Sequence, residues 1–217
     1  MDLHERARIH EALGDPHRLE IVDALVGSDR SPGHLARVTG MAPNLVAHHL
    51  RVLEGAGVVE VRRSEGDGRR RYVHLLPAGV AAVGGAEPVD RPVVFVCTHN
   101  SARSQLAAAL WARASGQPAS SAGTHPAERV HPKAVAVGGA HGLDLLGAAP
   151  RLLEPDRTPE VVVVTVCDRA AEELAEPPDR HWSVPDPVAV GTDDAFNAAF
   201  ESLADWVERT HPREEES

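Results

Sequence analysis

From Leu3 to about Gly57 the apolar residues recur at helical spacing: Ile9 and Leu13, then Leu19, Val22, Leu25 and Val26, with Gly14-Asp15-Pro16 breaking the run between them. "SPGHLARVTG" predicts a short helix with Ser31 as its N-cap, Pro32 in its first turn and Gly40 at its end. "MAPNLVAHHLRVLEGAG" predicts the next helix, with Val46, Leu50 and Leu53 inward and Asn44, Ala47, His48 and Arg51 outward. "VVEVRRSEGDGRRRYVHLL" then alternates as two strands around Glu65-Gly66-Asp67-Gly68, a hairpin signal. Residues 77–92 are rich in small residues and proline with weak periodicity, so the domain boundary falls there: a first domain over 1–85 ending in a short helix, a linker over 86–91 and a second domain over 92–217. Beyond Arg91 strand and helix patterns alternate: "PVVFVC", "SQLAAALWARAS", "ASSAGT", "HPKAVAVGGAHG", "EVVVVTVCD" and "DDAFNAAFESLADWVERT". Continuous valine runs flanked by helices mark strands buried on both faces, so the second domain is α/β with a doubly wound parallel sheet.

Charge divides the chain in the same place. Residues 1–88 hold 11 Arg against 12 acidic residues, whereas the remainder carries nearly all of the formal net charge of −10. Arg62, Arg63, Arg69, Arg70 and Arg71 therefore form a local basic patch inside a near-neutral half. With two cysteines, Cys97 and Cys167, the chain cannot build a disulfide framework, and it has no secretion-type leader and no long apolar run. A cytoplasmic protein with reduced thiols and no membrane partner is expected.

Cys97 closes the first strand of the second domain, where ligands bind in sheets of this kind. It opens Cys97-Thr98-His99-Asn100-Ser101-Ala102-Arg103-Ser104, a Cys-x5-Arg-Ser loop leading into a helix. Unpaired backbone N–H groups and the positive end of the helix dipole favour a thiolate there. The same N–H groups, from Thr98 to Ser104, can hold a tetrahedral oxyanion above the sulfur, and Arg103 can grip two of its oxygens. Nucleophile and anion cradle are thus one loop. Asn100 and Ser104 are expected to hold its shape through side-chain hydrogen bonds, with Ser104 also able to reach the sulfur. His99 either contacts the anion or fills space. Trp111, Trp182 and Trp206 are expected in the core or at a domain contact.

The order of helices, short helix–turn–helix and hairpin, carried by "ALGDPHRLEIVDAL", "LARVTGMAPNLVAHHLRVLEGAGVV" and "RRSEGDGRRRYVHL", resembles the winged helix repressors of the ArsR/SmtB type over residues 3–85. The resemblance implies a mainly α winged helix-turn-helix with a β-hairpin wing, binding a double-stranded DNA operator as a homodimer. Asn44 and His48 would then meet base edges, Arg51 would face the groove beside them, and Arg69, Arg70 and Arg71 would contact phosphates. The soft thiolate ligands such repressors use for As(III) have no counterpart before Cys97. His4, His10, His17, His34 and His74 lack tight ligand spacing, so no metal site is expected.

The Cys97 loop, together with "SAGTHPAERVHPKAVAVGGAHGLDL", "VVVTVCD" and "HWSVPDPVAVGTDDAFNAAF", resembles the low-molecular-weight protein tyrosine phosphatase fold, and most of all its thiol-dependent arsenate reductase branch. That resemblance implies that Asp186 protonates the leaving oxygen and that Cys167 matches the second, resolving thiol. The third cysteine of the thioredoxin-linked reductases has no match. Either Cys167 attacks Cys97 and an external dithiol protein reduces the pair, or a small thiol of the mycothiol kind attacks the adduct and a redoxin completes the cycle. Cys167 as a strand-end core residue is the alternative to both. Ala102 stands where phosphatases have a second cysteine and Gln105 where they have proline. Val188 and Ala189 replace the aromatic residues that flank a phenol ring, which suits a bare inorganic anion. The expected activity is arsenate reduction with an external thiol reductant and no bound cofactor. The alternatives are a transcription factor whose second domain only senses an oxyanion or redox state, and a phosphatase.

Overall fold

The computed structural model describes residues 2–83, 86, 89–154 and 159–210. The chain divides into two compact units whose main boundary falls at Ala86–Glu87. Of the expected linker over 86–91, residues 87–88 lie outside the described residues, as do 84–85 before it and 211–217 at the end of the expected second domain.

Local capping chemistry sets out the first unit. Asp2 caps α1 (Leu3–Leu13), accepting the Glu5 N–H while the Glu5 carboxylate accepts the Asp2 N–H. Asp15 caps α2 (Pro16–Leu25) through the N–H groups of His17 and Arg18, and Pro16 occupies a first-turn position where no N–H is needed. Ser31 caps α3 (Pro32–Val38). Gly40, at φ 66°, then takes a left-handed turn that a β-carbon would strain, and α4 (Pro43–Gly55) follows. β1 (Val59–Arg63) and β2 (Arg71–Leu75) pair antiparallel, with Val59 opposite Leu75, and α5 (Pro77–Val83) comes after them. Ile21, Val22, Leu25, Leu35, Val46, Leu53 and Val73 form a core fully removed from solvent. The connection between the strands is longer than the Glu65–Gly68 tip expected from the sequence. It runs over 64–70 and is closed by the Ser64 N–H donating to Arg70 O at 3.1 Å, so Arg69 and Arg70 belong to the loop and Arg71 to β2.

The second unit is a four-stranded parallel sheet flanked by helices. Its elements are β3 (Val93–Cys97), α6 (Arg103–Ser115), β4 (Ala119–Gly123), α7 (Pro132–Ala140), β5 (Val162–Thr165), α8 (Asp168–Glu173), β6 (Arg180–His181), α9 (Pro187–Val190) and α10 (Asp193–Thr210). The strand order is β4-β3-β5-β6, and every pairing is parallel. The short edge strand β6 is not apparent in the sequence pattern. Because the chain moves outward from β3 to β4 and then returns to the far side of β3, the order reverses between β3 and β5. That reversal opens a crevice at their carboxyl ends, where doubly wound sheets bind ligands.

Aromatic packing fixes the frame beneath this crevice. The Phe95 ring lies 5.8 Å from that of Trp111 and 5.3 Å from that of Trp182, and Trp182 stacks on Trp206 at 5.5 Å. Along α10, Phe196, Ala199, Phe200, Leu203, Trp206 and Val207 form one buried stripe at helical spacing. All three tryptophans are therefore core residues of this unit.

Candidate active site

Cys97 ends β3 with 2% of its surface exposed, and α6 starts at Arg103. Between them the chain wraps around the sulfur. The Asn100 N–H donates to Cys97 Sγ at 3.2 Å, and Ser104 Oγ lies 3.1 Å from the same atom. Asn100 Nδ2 also donates to Ser104 Oγ at 2.8 Å, so the one hydroxyl proton of Ser104 is left to point at sulfur. Asn100 can do this because its backbone is left-handed, at φ 47°, a region asparagine adopts more readily than most residues. Its fully buried side chain is pinned, Oδ1 accepting the Arg151 N–H at 2.8 Å and Gln105 Nε2 at 3.2 Å. Gln105 Nε2 also reaches Asn100 O at 3.0 Å, giving a physical role to the glutamine found where phosphatases have proline. Beneath the loop, a β-carbon on Gly123 would lie 2.8 Å from Thr98 O and 3.0 Å from Asn100 N. Only glycine lets β4 approach this closely.

The N–H groups of His99, Ser101 and Ala102 donate to no protein acceptor among the described residues. Ala102 caps α6 without a side-chain hydrogen bond, so the first turn of that helix adds its own N–H groups to the concavity. Ser101 anchors the rim through its carbonyl, which accepts the His131 N–H at 2.8 Å. His99 is exposed, and its Nδ1 lies 3.0 Å from the carbonyl oxygen of His125, so the ring braces the rim.

Arg103 is buried to 6% exposure at the start of α6. Its Nη1 donates to Val184 O at 2.9 Å and its Nη2 lies 3.2 Å from Asp186 Oδ1. The same Oδ1 accepts the Val188 N–H at 3.1 Å, capping α9. Arg103, Asp186, Thr98, His99 and Cys167 line one concavity, with Ala189 and Val190 on its wall. Among the described residues, no Phe, Tyr or Trp lines it.

Cys167 follows β5 and caps α8, its Sγ accepting the Ala170 N–H at 3.4 Å and lying 3.5 Å from Thr98 Oγ1. Burial pushes its thiol pKa up; the Arg103 guanidinium pulls it down, and charge on Cys97 adds to the rise. Asp168 comes next. Its Oδ1 lies 3.1 Å from His181 Nε2, and His181 Nδ1 lies 2.9 Å from Thr165 Oγ1. Burial alone would raise the Asp168 pKa, but hydrogen bonds from His181 and Ser183 outweigh it and hold the carboxyl below its usual range. Spacing could not reveal this network, because Thr165, Asp168 and His181 come from three different elements, β5, α8 and β6. The depressed pKa makes Asp168 stabilising above the unfolded-state value, and that contribution is lost as pH falls through the folded value. Asp168→Asn is expected to destabilise the second unit by about 1–3 kcal/mol at neutral pH. In urea melts the gap from wild type should shrink toward pH 3; a gap of constant size would contradict the assignment.

A thiol ending the first strand, an arginine opening the next helix and an aspartate reaching that arginine from a later turn match a known arrangement. The family profile described as low molecular weight phosphotyrosine protein phosphatase matches residues 92–213. The chain belongs to that family. A second profile, described as a helix-turn-helix domain, matches residues 13–62, so the protein joins a helix-turn-helix domain to a low-molecular-weight phosphatase domain.

Two curated relatives resemble one half each. "HTH-type transcriptional regulator Rv0324" of Mycobacterium tuberculosis is 34% identical over 79 residues, covering 36% of this chain. The match spans only about a third (34%) of the regulator's own length. "Putative arsenate reductase" of Halobacterium salinarum is 34% identical over 102 residues, which is 43% of this chain and 72% of that protein. Among solved structures, an arsenate reductase in a phosphate-binding state is 26% identical, covering 54% of this chain and 94% of that one at TM-score 0.47. The arsenate reductase of Archaeoglobus fulgidus is 27% identical, covering 56% and 99% at TM-score 0.47.

In the helix-turn-helix unit, α4 presents Asn44, Ala47, His48 and Arg51 to solvent while Val46, Leu50 and Leu53 are buried. Arg69, Arg70 and Arg71 are also exposed. His49 departs from its neighbour His48: it is buried, with 5% of its surface exposed. No described helix is long and apolar enough to cross a membrane.

Proposed function

We propose that the phosphatase-family unit is an arsenate reductase and that the helix-turn-helix unit carries it to duplex DNA. The observation that carries this reading is the second thiol: Cys167 lies on the same concavity as the Cys97 loop, one Thr98 hydroxyl away. A phosphatase needs no such thiol, and the wall of Ala189 and Val190 offers no ring to flank a phenol. The likeness to the Halobacterium salinarum protein supports the same branch.

In the proposed cycle the Cys97 sulfur attacks the arsenic of arsenate held by the loop N–H groups and Arg103. An S–As bond forms, and one oxygen leaves as water with a proton supplied by Asp186. Cys167 then attacks the Cys97 sulfur. The S–As bonding pair stays on arsenic, which departs as arsenite, reduced by two electrons, while a Cys97–Cys167 disulfide forms. An external dithiol protein reduces the disulfide. In the competing route a small thiol takes the place of Cys167 and a redoxin restores Cys97.

Cys167→Ala separates the two. Under the intramolecular route it should stop multiple turnover and allow at most one arsenite per chain, whatever thiol is supplied. Undiminished turnover with a small thiol and redoxin would eliminate that route. Because the Cys167 thiol pKa is raised, its thiolate fraction grows with pH, so arsenite release in a single turnover should accelerate up to about tenfold per pH unit above neutrality. Comparing arsenate reduction with aryl phosphate hydrolysis decides between reductase and phosphatase.

For the DNA-binding unit, phosphate contact by the hairpin arginines predicts that replacing Arg69, Arg70 and Arg71 with Ala weakens duplex binding alike on all sequences. The slope of log affinity against log salt should fall by up to about 3. Anisotropy titrations across a salt series measure this, and an unchanged slope would argue that the arginines lie off the DNA.

A further inference from the structure

The helix-turn-helix unit holds a cluster that its proposed role in binding DNA does not use. Asp15 caps α2, His17 stands in the first turn of the same helix, and His49 comes from α4. One donor atom of each lies within 4.8 Å of the other two. A cap carboxylate beside two histidines is not by itself a site. What distinguishes this group is His49, which is 5% exposed while neither Nδ1 nor Nε2 has a hydrogen-bond partner among the described residues. Buried polar atoms are ordinarily satisfied, and an orphaned imidazole this close to a second imidazole and a carboxylate has the donor chemistry of a metal ligand. The His17 and His49 rings lie face to face, with centroids 5.6 Å apart and planes 15° from parallel.

We propose that Asp15, His17 and His49 form a binding site for one divalent cation of the Zn2+ class, which would tie α2 to α4. Two imidazole nitrogens and one carboxylate oxygen suit a borderline metal in a tetrahedral site whose fourth position is open to water. The set is too poor in oxygen for Ca2+ or Mg2+ and lacks the sulfur that Cu+ or As(III) requires. His17, on the exposed first turn, can swing to close the site without disturbing the core. Until a cation binds, Arg18 Nη1, 3.7 Å from Asp15 Oδ2, balances the carboxylate, and the metal would take over that role. The ligands lie on separate helices, so local spacing gives no sign of them. The site also falls on the helix that presents Asn44, His48 and Arg51 to solvent, so occupancy would restrain the face proposed to meet DNA.

The full-length reduced protein is titrated with Co2+, whose visible absorption reports tetrahedral nitrogen and oxygen ligation. Sulfur ligation by Cys97 or Cys167 would instead add charge-transfer absorption in the near ultraviolet. The expected result is one equivalent bound at about micromolar affinity, without the sulfur band, displaced by Zn2+ and unaffected by excess Mg2+. His17→Ala and Asp15→Asn should each weaken binding by about tenfold or more, with an unchanged far-ultraviolet circular dichroism spectrum showing that both variants fold. His17 is exposed and Asn can still cap a helix, so neither change removes a core contact. Absence of stoichiometric binding, a dominant sulfur band, or affinity unchanged in both variants would each overturn the proposal.

Discussion

Cys97→Ser is expected to lower arsenate turnover by at least about 10⁴-fold while leaving oxyanion binding within a few-fold of wild type. The two effects separate because the loop performs two tasks with different atoms. In the proposed cycle anion binding falls to the N–H groups of His99, Ser101 and Ala102, the first turn of α6 and Arg103, none of which the substitution touches. In the same cycle, bond formation falls to the sulfur alone. A serine hydroxyl in its place would meet the Asn100 N–H and the Ser104 hydroxyl, two groups placed to donate to an anion, with no base beside it to remove its proton. Isothermal titration with phosphate, set beside steady-state arsenite release, tests both halves. Retention of more than about a hundredth of the activity would remove Cys97 from the role of nucleophile.

Arg103→Lys should cost about 10²- to 10³-fold in kcat/KM although the charge is kept. The guanidinium already spends one N–H on Val184 O and another on Asp186 Oδ1, and still has N–H groups to turn toward an oxyanion. A lysine ammonium cannot span these partners from one nitrogen. It would release either the 184–186 turn, which positions Asp186, or the substrate. The loss should fall mainly on kcat if Asp186 is displaced in the transition state, and chemical rescue with guanidinium should restore part of it. Activity within about threefold of wild type would show that neither the fork nor the turn matters for the reaction.

Much of this arrangement is legible before any coordinates. Cys97 and Arg103 lie in one short loop, so their mutual placement is a local property of strand, turn and helix. The same holds for the caps at Asp15 and Ser31 and for the inward face of α4, where Val46, Leu50 and Leu53 follow helical periodicity. What the sequence does not display is each feature built from distant segments. The sheet order, the two-residue strand β6, the pairing of Asp168 with His181, and the hold of Arg151 on Asn100 all depend on which distant segments lie side by side. His49 illustrates the limit from another direction. It stands next to His48 in sequence, yet one ring is exposed and the other buried, because α4 turns about 100° per residue and the edge of its apolar stripe falls between them.

The pairing of β3 with β5 also governs when this protein becomes chemically competent. Cys97 and Cys167 sit at the ends of strands separated by two crossovers, and they become neighbours only once β5 has docked beside β3. Parallel contacts of such high sequence separation form slowly, whereas helices α1–α4 and the β1–β2 hairpin depend on short-range contacts. During refolding, the helix-turn-helix unit should therefore mature before the pair of thiols exists as a pair. A newly made chain would pass through an interval with its helix-turn-helix unit folded and two unconnected cysteines, open to oxidation by other routes until the sheet is complete.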